Sequence, residues 1–226
     1  MQKKSSFLGV FIIAILGSFL IAMSSLGFII KKVVNENIHR ITDSDAQLKR
    51  GRLNLLTANG GMSGLLIASP SKEDESRSLA IKMDNADLKF DRASLFADVI
   101  VITQLESDNL EIHWNGKNGD NLKGILANIS KFSEQQKALE QDLKNRGVYE
   151  KQKTLTIDKL VLTNTKLIIK LNDQEQTLTL DPITVESLGS SQEGMSMVDI
   201  MKEILKEIIS ASSTSVSETL KSQNKN

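Results

Sequence analysis

The sequence predicts an α+β protein: an N-terminal transmembrane helix, then a curved, mainly antiparallel β-sheet with a helical insert and a C-terminal amphipathic helix. Three observations predict it. An uncharged apolar run opens the chain between lysine pairs, period-two alternation returns repeatedly between residues 46 and 185, and helical spacing interrupts that alternation only in 121–147 and near the end. The organisation that follows is an anchor over 1–32, a β-domain over 33–209 and a polar tail, expected to be disordered, over 210–226.

The apolar run extends from Phe7 to Ile30, preceded by Lys3 and Lys4 and closed by Lys31 and Lys32. As a helix of about 24 residues it is about 36 Å long, enough to cross a hydrocarbon core of about 30 Å with some tilt. Ala22-Met23-Ser24 offers a small-x-small cleavage site of the secretory kind. The run continues beyond it through Ile30, which favours a retained anchor over a cleaved signal peptide. The terminal amine strengthens the first flank and Glu36 dilutes the second, so the domain is expected on the translocated side.

After a short helix over 33–41, stopped by Asp43, Ser44 and Asp45, alternation begins at Ala46 and Leu48. It changes parity after Arg50-Gly51, where Leu53 and Leu55 take the opposite face, as at a β-bulge. Asn59-Gly60-Gly61 reads as a turn before a second strand, Met62 to Ala68. The same parity change recurs at three places. Ile81 and Met83 give way to Leu88 and Phe90 across Asp84-Asn85; Leu105 gives way to Leu110, Ile112 and Trp114 across Asp108-Asn109; Leu160 and Leu162 give way to Leu167 and Ile169 across Thr163-Asn164. Asparagine tolerates left-handed backbone, so Asn85, Asn109 and Asn164 are candidate corners that curve the sheet. Ser94-Leu95-Phe96 precedes a run apolar on both faces, Val99 to Ile102, with Val99 and Val101 assigned to the same apolar face as Leu110, Ile112 and Trp114.

Helical spacing holds Leu122, Ile125, Leu126, Ile129 and Phe132 on one stripe, with Gly147 as its stop. Strands return at 154–157, 160–162, 167–171, 178–180 and 183–185. A final stripe of Val198, Met201, Leu205 and Ile208 predicts a helix from about Met195 to Ile209.

Composition excludes several chemistries. With 28 basic and 28 acidic residues the net charge is zero, so no field gathers nucleic acid, and 4% aromatics leave little for base stacking. No cysteine is present, which removes disulfides, thiolate metal sites and a cysteine nucleophile. The two histidines, His39 and His113, are too few for a histidine cluster. Phosphate-cradling, serine-elbow and zinc-protease motifs are missing from the sequence. Asp84, Asp87 and Asp91 lack the density of a cation loop. His113 shares a strand face with Glu111 and reads as a surface histidine. No enzyme, metal or cofactor is expected.

The residues in order resemble a known family. Lys49-Arg50-Gly51, Ala68-Ser69-Pro70, the strand Ala80 to Phe90, Ser94 to Ile102, Leu110-Glu111-Ile112-His113-Trp114, Asn121 to Ile129 and Ile157 to Leu162 together look like the AsmA-like family of bacterial envelope proteins, of which this would be a short member. The resemblance covers about Phe7 to Ile209. It implies an inner-membrane anchor, a C-terminal domain in the periplasm and a part in outer-membrane lipid homeostasis. Two functions follow as expectations. In the first, the domain binds phospholipid acyl chains in an apolar β-groove whose candidate residues are Ile81, Met83, Leu88, Phe90, Val99, Val101, Leu105, Leu110, Ile112, Trp114, Leu160, Leu162, Leu167 and Ile169. In the second, protein fills the sheet and the chain is a structural or adaptor subunit that meets itself or a larger envelope protein through its sheet edges.

Overall fold

A computed structural model describes residue 35 and residues 38–70, 78–116, 118–148, 152–171, 174–190 and 193–223. The anchor expected at 1–32 lies outside them. Among the described residues no helix is long and apolar enough to cross a membrane.

The strands follow the alternation of the sequence. They are β1 (Ala46–Asn54), β2 (Asn59–Ala68), β3 (Leu79–Phe90), β4 (Val99–Asn115), β5 (Thr154–Thr163), β6 (Lys166–Leu171), β7 (Gln174–Thr179) and β8 (Ile183–Leu188). A 3-10 turn, Ser94–Phe96, precedes β4, and two long helices, α1 (Asp120–Asn145) and α2 (Met197–Gln223), complete the order. Strands β1 to β4 form an antiparallel meander. Strand β4 then pairs in parallel with β5 along its first part and with β6 along its last. A parallel neighbour needs a long crossover, and α1 supplies it. Strands β8 and β7 pair antiparallel with β5 and β6 and form the far edge, while β1 forms the near one. The sheet is therefore mixed, though mostly antiparallel.

Helix α1 is seated on β4 by a local device. Asn121 donates from Nδ2 to the carbonyl of His113 (2.7 Å) and accepts at Oδ1 from the Asn115 N–H (3.2 Å). Its N-cap, Gly119, has φ 65°, and a β-carbon there would stand 2.8 Å from the Trp114 ring. Only glycine meets both demands. The helix ends where the sequence predicts: Gly147 has φ 69°, and the N–H groups of Gly147 and Val148 donate to the carbonyls of Lys144 and Leu143. A helical turn over 38–42 packs beside it, with Asn128 Nδ2 donating to the Thr42 carbonyl (2.8 Å).

Several expectations are corrected. The first hairpin turns at residues 55–58, and Asn59, Gly60 and Gly61 belong to β2. There Asn54 Oδ1 accepts from the N–H groups of Leu56 and Thr57, so the turn signal lies in Asn54, a side chain that bonds its own backbone. The stretch from Thr154 to Thr163 is one strand. The tail expected to be disordered from 210 continues α2 through Gln223. Its hydroxyls do not compete with the helix: Thr214, Ser215, Ser217 and Thr219 each donate to the carbonyl four residues earlier. Ser212 and Val216 extend the buried stripe of Ile208, so packing carries the helix past its weak propensity.

The corners are collinear. In the register, Gly64 faces Asp84, Asp84 faces Asn109, and Asn109 faces Asn164, so one line crosses β2, β3, β4 and the β5–β6 junction. Gly64 (φ 67°), Asn109 (φ 59°) and Asn164 (φ 50°) are left-handed on it. Asn85 is not, and this corrects its assignment as an equivalent corner. On β1 the same line meets Lys49, which accounts for the parity change between buried Leu48 and buried Gly51. A second line crosses lower down, through the register shift at Lys89/Phe90, through Asp158 and through Ser187 (φ 61°). Two transverse creases thus interrupt the strand alternation, and each is where a bulge or left-handed residue bends its strand.

Candidate functional site: the sheet face beneath the helices

The sequence singled out one apolar face, and most of its candidates meet. Ile81, Met83, Leu110, Ile112, Trp114, Leu160, Leu162, Leu167 and Ile169 lie in a single buried cluster. Leu88, Phe90 and Leu105 pack against it partly buried. The cluster is closed by the stripes of both helices, Leu122, Ile125 and Ile129 from α1 and Ile200, Leu205, Ile208 and Val216 from α2. Trp114 is 1% exposed. The face that could have been a groove is the core of the domain.

Val99 and Val101 are the exceptions. The β3–β4 pairing slips between Lys89↔Gln104 and Phe90↔Ile102, and the extra residue on β4 is Thr103. The slip reverses the parity of everything before it, so Ile102 enters the core and Val99 and Val101 stand outside the cluster, half-buried. Ile157 was missed for the same reason: Asp158 and Lys159 are both exposed between buried Ile157 and Leu160. The only signal in the sequence was the adjacent polar pair, the same signature as Asp84-Asn85.

On the opposite face, Lys82 Nζ donates to Glu111 Oε1 (2.9 Å), and this partner, helped by the charges of Glu111 and Asp84, raises the lysine above its ordinary pKa despite some desolvation. His113, on the same face, is half-buried, with Nε2 enclosed and, among the described residues, without a hydrogen bond. Burial pushes its pKa down, against the opposing pull of Glu111 and Glu175, so it is no ordinary surface histidine. A neutral imidazole with one bare nitrogen can accept a hydrogen bond, yet among the described residues no nucleophile or carboxylate is hydrogen-bonded to it. Among the described residues no group of histidine, aspartate and glutamate could hold a metal ion.

Two carboxylates have defined work. Asp108 Oδ1 accepts from Thr163 Oγ1 (2.8 Å) and Asn164 Nδ2 (2.7 Å), and its Oδ2 accepts from Asn109 Nδ2 (2.6 Å). The bonds from Thr163 and then Asn164, with a smaller part from the Asn109 backbone N–H, hold its carboxyl below the usual range against some desolvation, and the three side-chain bonds latch the two left-handed asparagines together. Asp199 accepts from Ser133 Oγ (2.7 Å), Lys137 Nζ (3.2 Å) and Ser196 Oγ (3.0 Å), while its N–H donates to Ser196 Oγ. Burial works against its ionisation, but those donors outweigh it and its pKa is lowered. Ser196 caps α2 through the Asp199 N–H, and the Asp199 carboxylate braces that cap and fastens α2 to α1.

Between α1 and α2 lies an open cleft of about 540 Å³, lined by Leu126 and Ile209, by Ser210, Ser213, Thr214 and Ser217, and by Lys206, Glu218 and Lys221. Two aliphatic side chains among so many polar ones give no acyl-length apolar lining.

By fold and site this is an α+β protein with a creased mixed sheet and two helices packed on its apolar face. No family model matches the chain, and no characterised protein matches its sequence.

Proposed function

We propose that the chain is a non-enzymatic structural or adaptor subunit of the bacterial envelope, AsmA-like in kind, anchored in the inner membrane by residues 1–32 with its C-terminal domain in the periplasm. In this reading it supports outer-membrane lipid homeostasis by holding other components in place. The observation that carries the adaptor role is the filled sheet: the aliphatic stripes of α1 and α2 occupy the face that acyl chains would need. Displacing both helices would expose Trp114, Ile112 and Leu167 together, at roughly 2 kcal/mol for each large side chain returned to water.

A second reading, in which acyl chains do lie on the sheet, draws support from Leu88, Phe90 and Leu105, which are only partly covered. Native mass spectrometry of the full chain extracted in mild detergent separates the two. The adaptor reading expects no phospholipid retained on the protein once the detergent is stripped. Stoichiometric phospholipid in repeated preparations, with a change in the emission of the single tryptophan on its removal, would overturn it in favour of the groove.

A further inference from the structure

The two edges of the sheet carry opposite charge. At one edge, β1 presents exposed Lys49 and Arg50, whose register neighbours on β2 are the uncharged Gly64 and Ser63. Arg52 is drawn inward to Asp87 at 2.9 Å. The first part of this edge is occupied, since the Leu48 N–H donates to Asn35 Oδ1 (2.6 Å), so among the described residues the open stretch runs from Lys49 to Asn54. At the other edge, β7 and β8 present Glu175 and Glu186, both exposed, with Asp181 between the strands. Lys170 and Lys159 lie one strand further in, opposite those glutamates, so the acids stand outermost.

Charges on edge strands ordinarily discourage pairing. Here they discourage only one kind. A two-fold pairing of β1 with β1 would set Lys49 and Arg50 against their own copies, and a two-fold pairing of the β7–β8 edge would oppose acid to acid. Head-to-tail pairing sets basic β1 against acidic β7–β8. The directions also agree: following the ladder of antiparallel and parallel pairs, β1 and β7–β8 run the same way, so a copy added in the same orientation extends the sheet as a parallel neighbour.

We infer that this chain associates with a second copy of itself, β1 of one copy docking on the β7–β8 edge of the next. Such a contact is heterologous and leaves a free edge of each sign, so it propagates into a row rather than closing as a dimer. The inference deepens the adaptor reading by naming a partner, and it has its own test: retained lipid decides the first, assembly state the second.

The experiment measures sedimentation of the full chain in detergent over a wide concentration range at low and high salt. Wild type is expected to form assemblies larger than dimers that salt dissolves. The double reversals Lys49→Glu/Arg50→Glu and Glu175→Lys/Glu186→Lys are each expected to be monomeric, because each makes both edges alike. Mixed together they are expected to assemble again, since basic and acidic edges then alternate. A monomeric wild type, an association indifferent to either reversal, or a mixture that stays monomeric would overturn the inference. The absence of native cysteine gives a second readout. Arg50→Cys with Thr184→Cys in one chain is expected to oxidise to a ladder of cross-linked copies, and efficient dimers from Arg50→Cys alone would contradict the head-to-tail arrangement.

Discussion

Replacing Asn109 by valine perturbs the crease at its centre. Asn109 has φ 59° in the middle of β4, the strand that pairs with β3, β5 and β6. A β-branched side chain in that region costs about 1–2 kcal/mol. The change also removes the Asn109 Nδ2 bond to Asp108, an exposed hydrogen bond worth about 0.5 kcal/mol. The sum is about 2 kcal/mol. With a urea slope of roughly 2–3 kcal/mol per molar for a domain of this size, the midpoint should fall by about 0.7–1 M. Trp114, the single tryptophan and fully enclosed, reports the transition by its fluorescence. Two controls isolate the cause. Asn109→Gly keeps the conformation and loses only the side-chain bond, so its shift should be less than half as large. Asn85→Val sits one position from the same crease with ordinary backbone, so its midpoint should hardly move. Equal midpoints for Asn109→Val and Asn85→Val would refute the claim that left-handed backbone at 109 carries the crease.

Asp199→Ala should cost about 2 kcal/mol, from the lost carboxylate bonds to Ser133, Lys137 and Ser196, measured by the same unfolding curves. Because the folded pKa of Asp199 is lowered, its contribution is complete above the ordinary carboxylate range and is lost as pH falls through the folded value. The gap between wild type and Asp199→Asn should therefore hold constant from neutrality to about pH 5 and close in more acidic solution; a gap that widens on acidification would contradict the sign. Ser212→Ala should move stability the other way, by up to about 1 kcal/mol, because the Ser212 hydroxyl is fully buried on α2 with no hydrogen-bond partner among the described residues. A destabilised Ser212→Ala would mean that this hydroxyl is satisfied in solution.

Local pattern alone was enough to place α1 and its stop at Gly147, most strand cores and the left-handed asparagines at 109 and 164, because helical spacing, period-two alternation and the conformational tolerance of asparagine are properties of a short stretch of chain. Alternation failed where β4 gains a residue at Thr103. A bulge is defined by the partner strand, so the sequence could not report that Ile102 rather than Val101 faces inward. It failed again at Ser210 to Gln223, where serine-rich composition argued against order and burial of Ser212 and Val216 overrode it. The periodicity of the sequence determined that an apolar sheet face exists and roughly which residues share it. Only the tertiary structure decided what covers that face. The crossover that makes β4 and β5 parallel also lays α1 along the sheet, α2 packs beside it, and the apolar stripes of both helices find their one partner there, because burying them is the largest favourable term open to the chain.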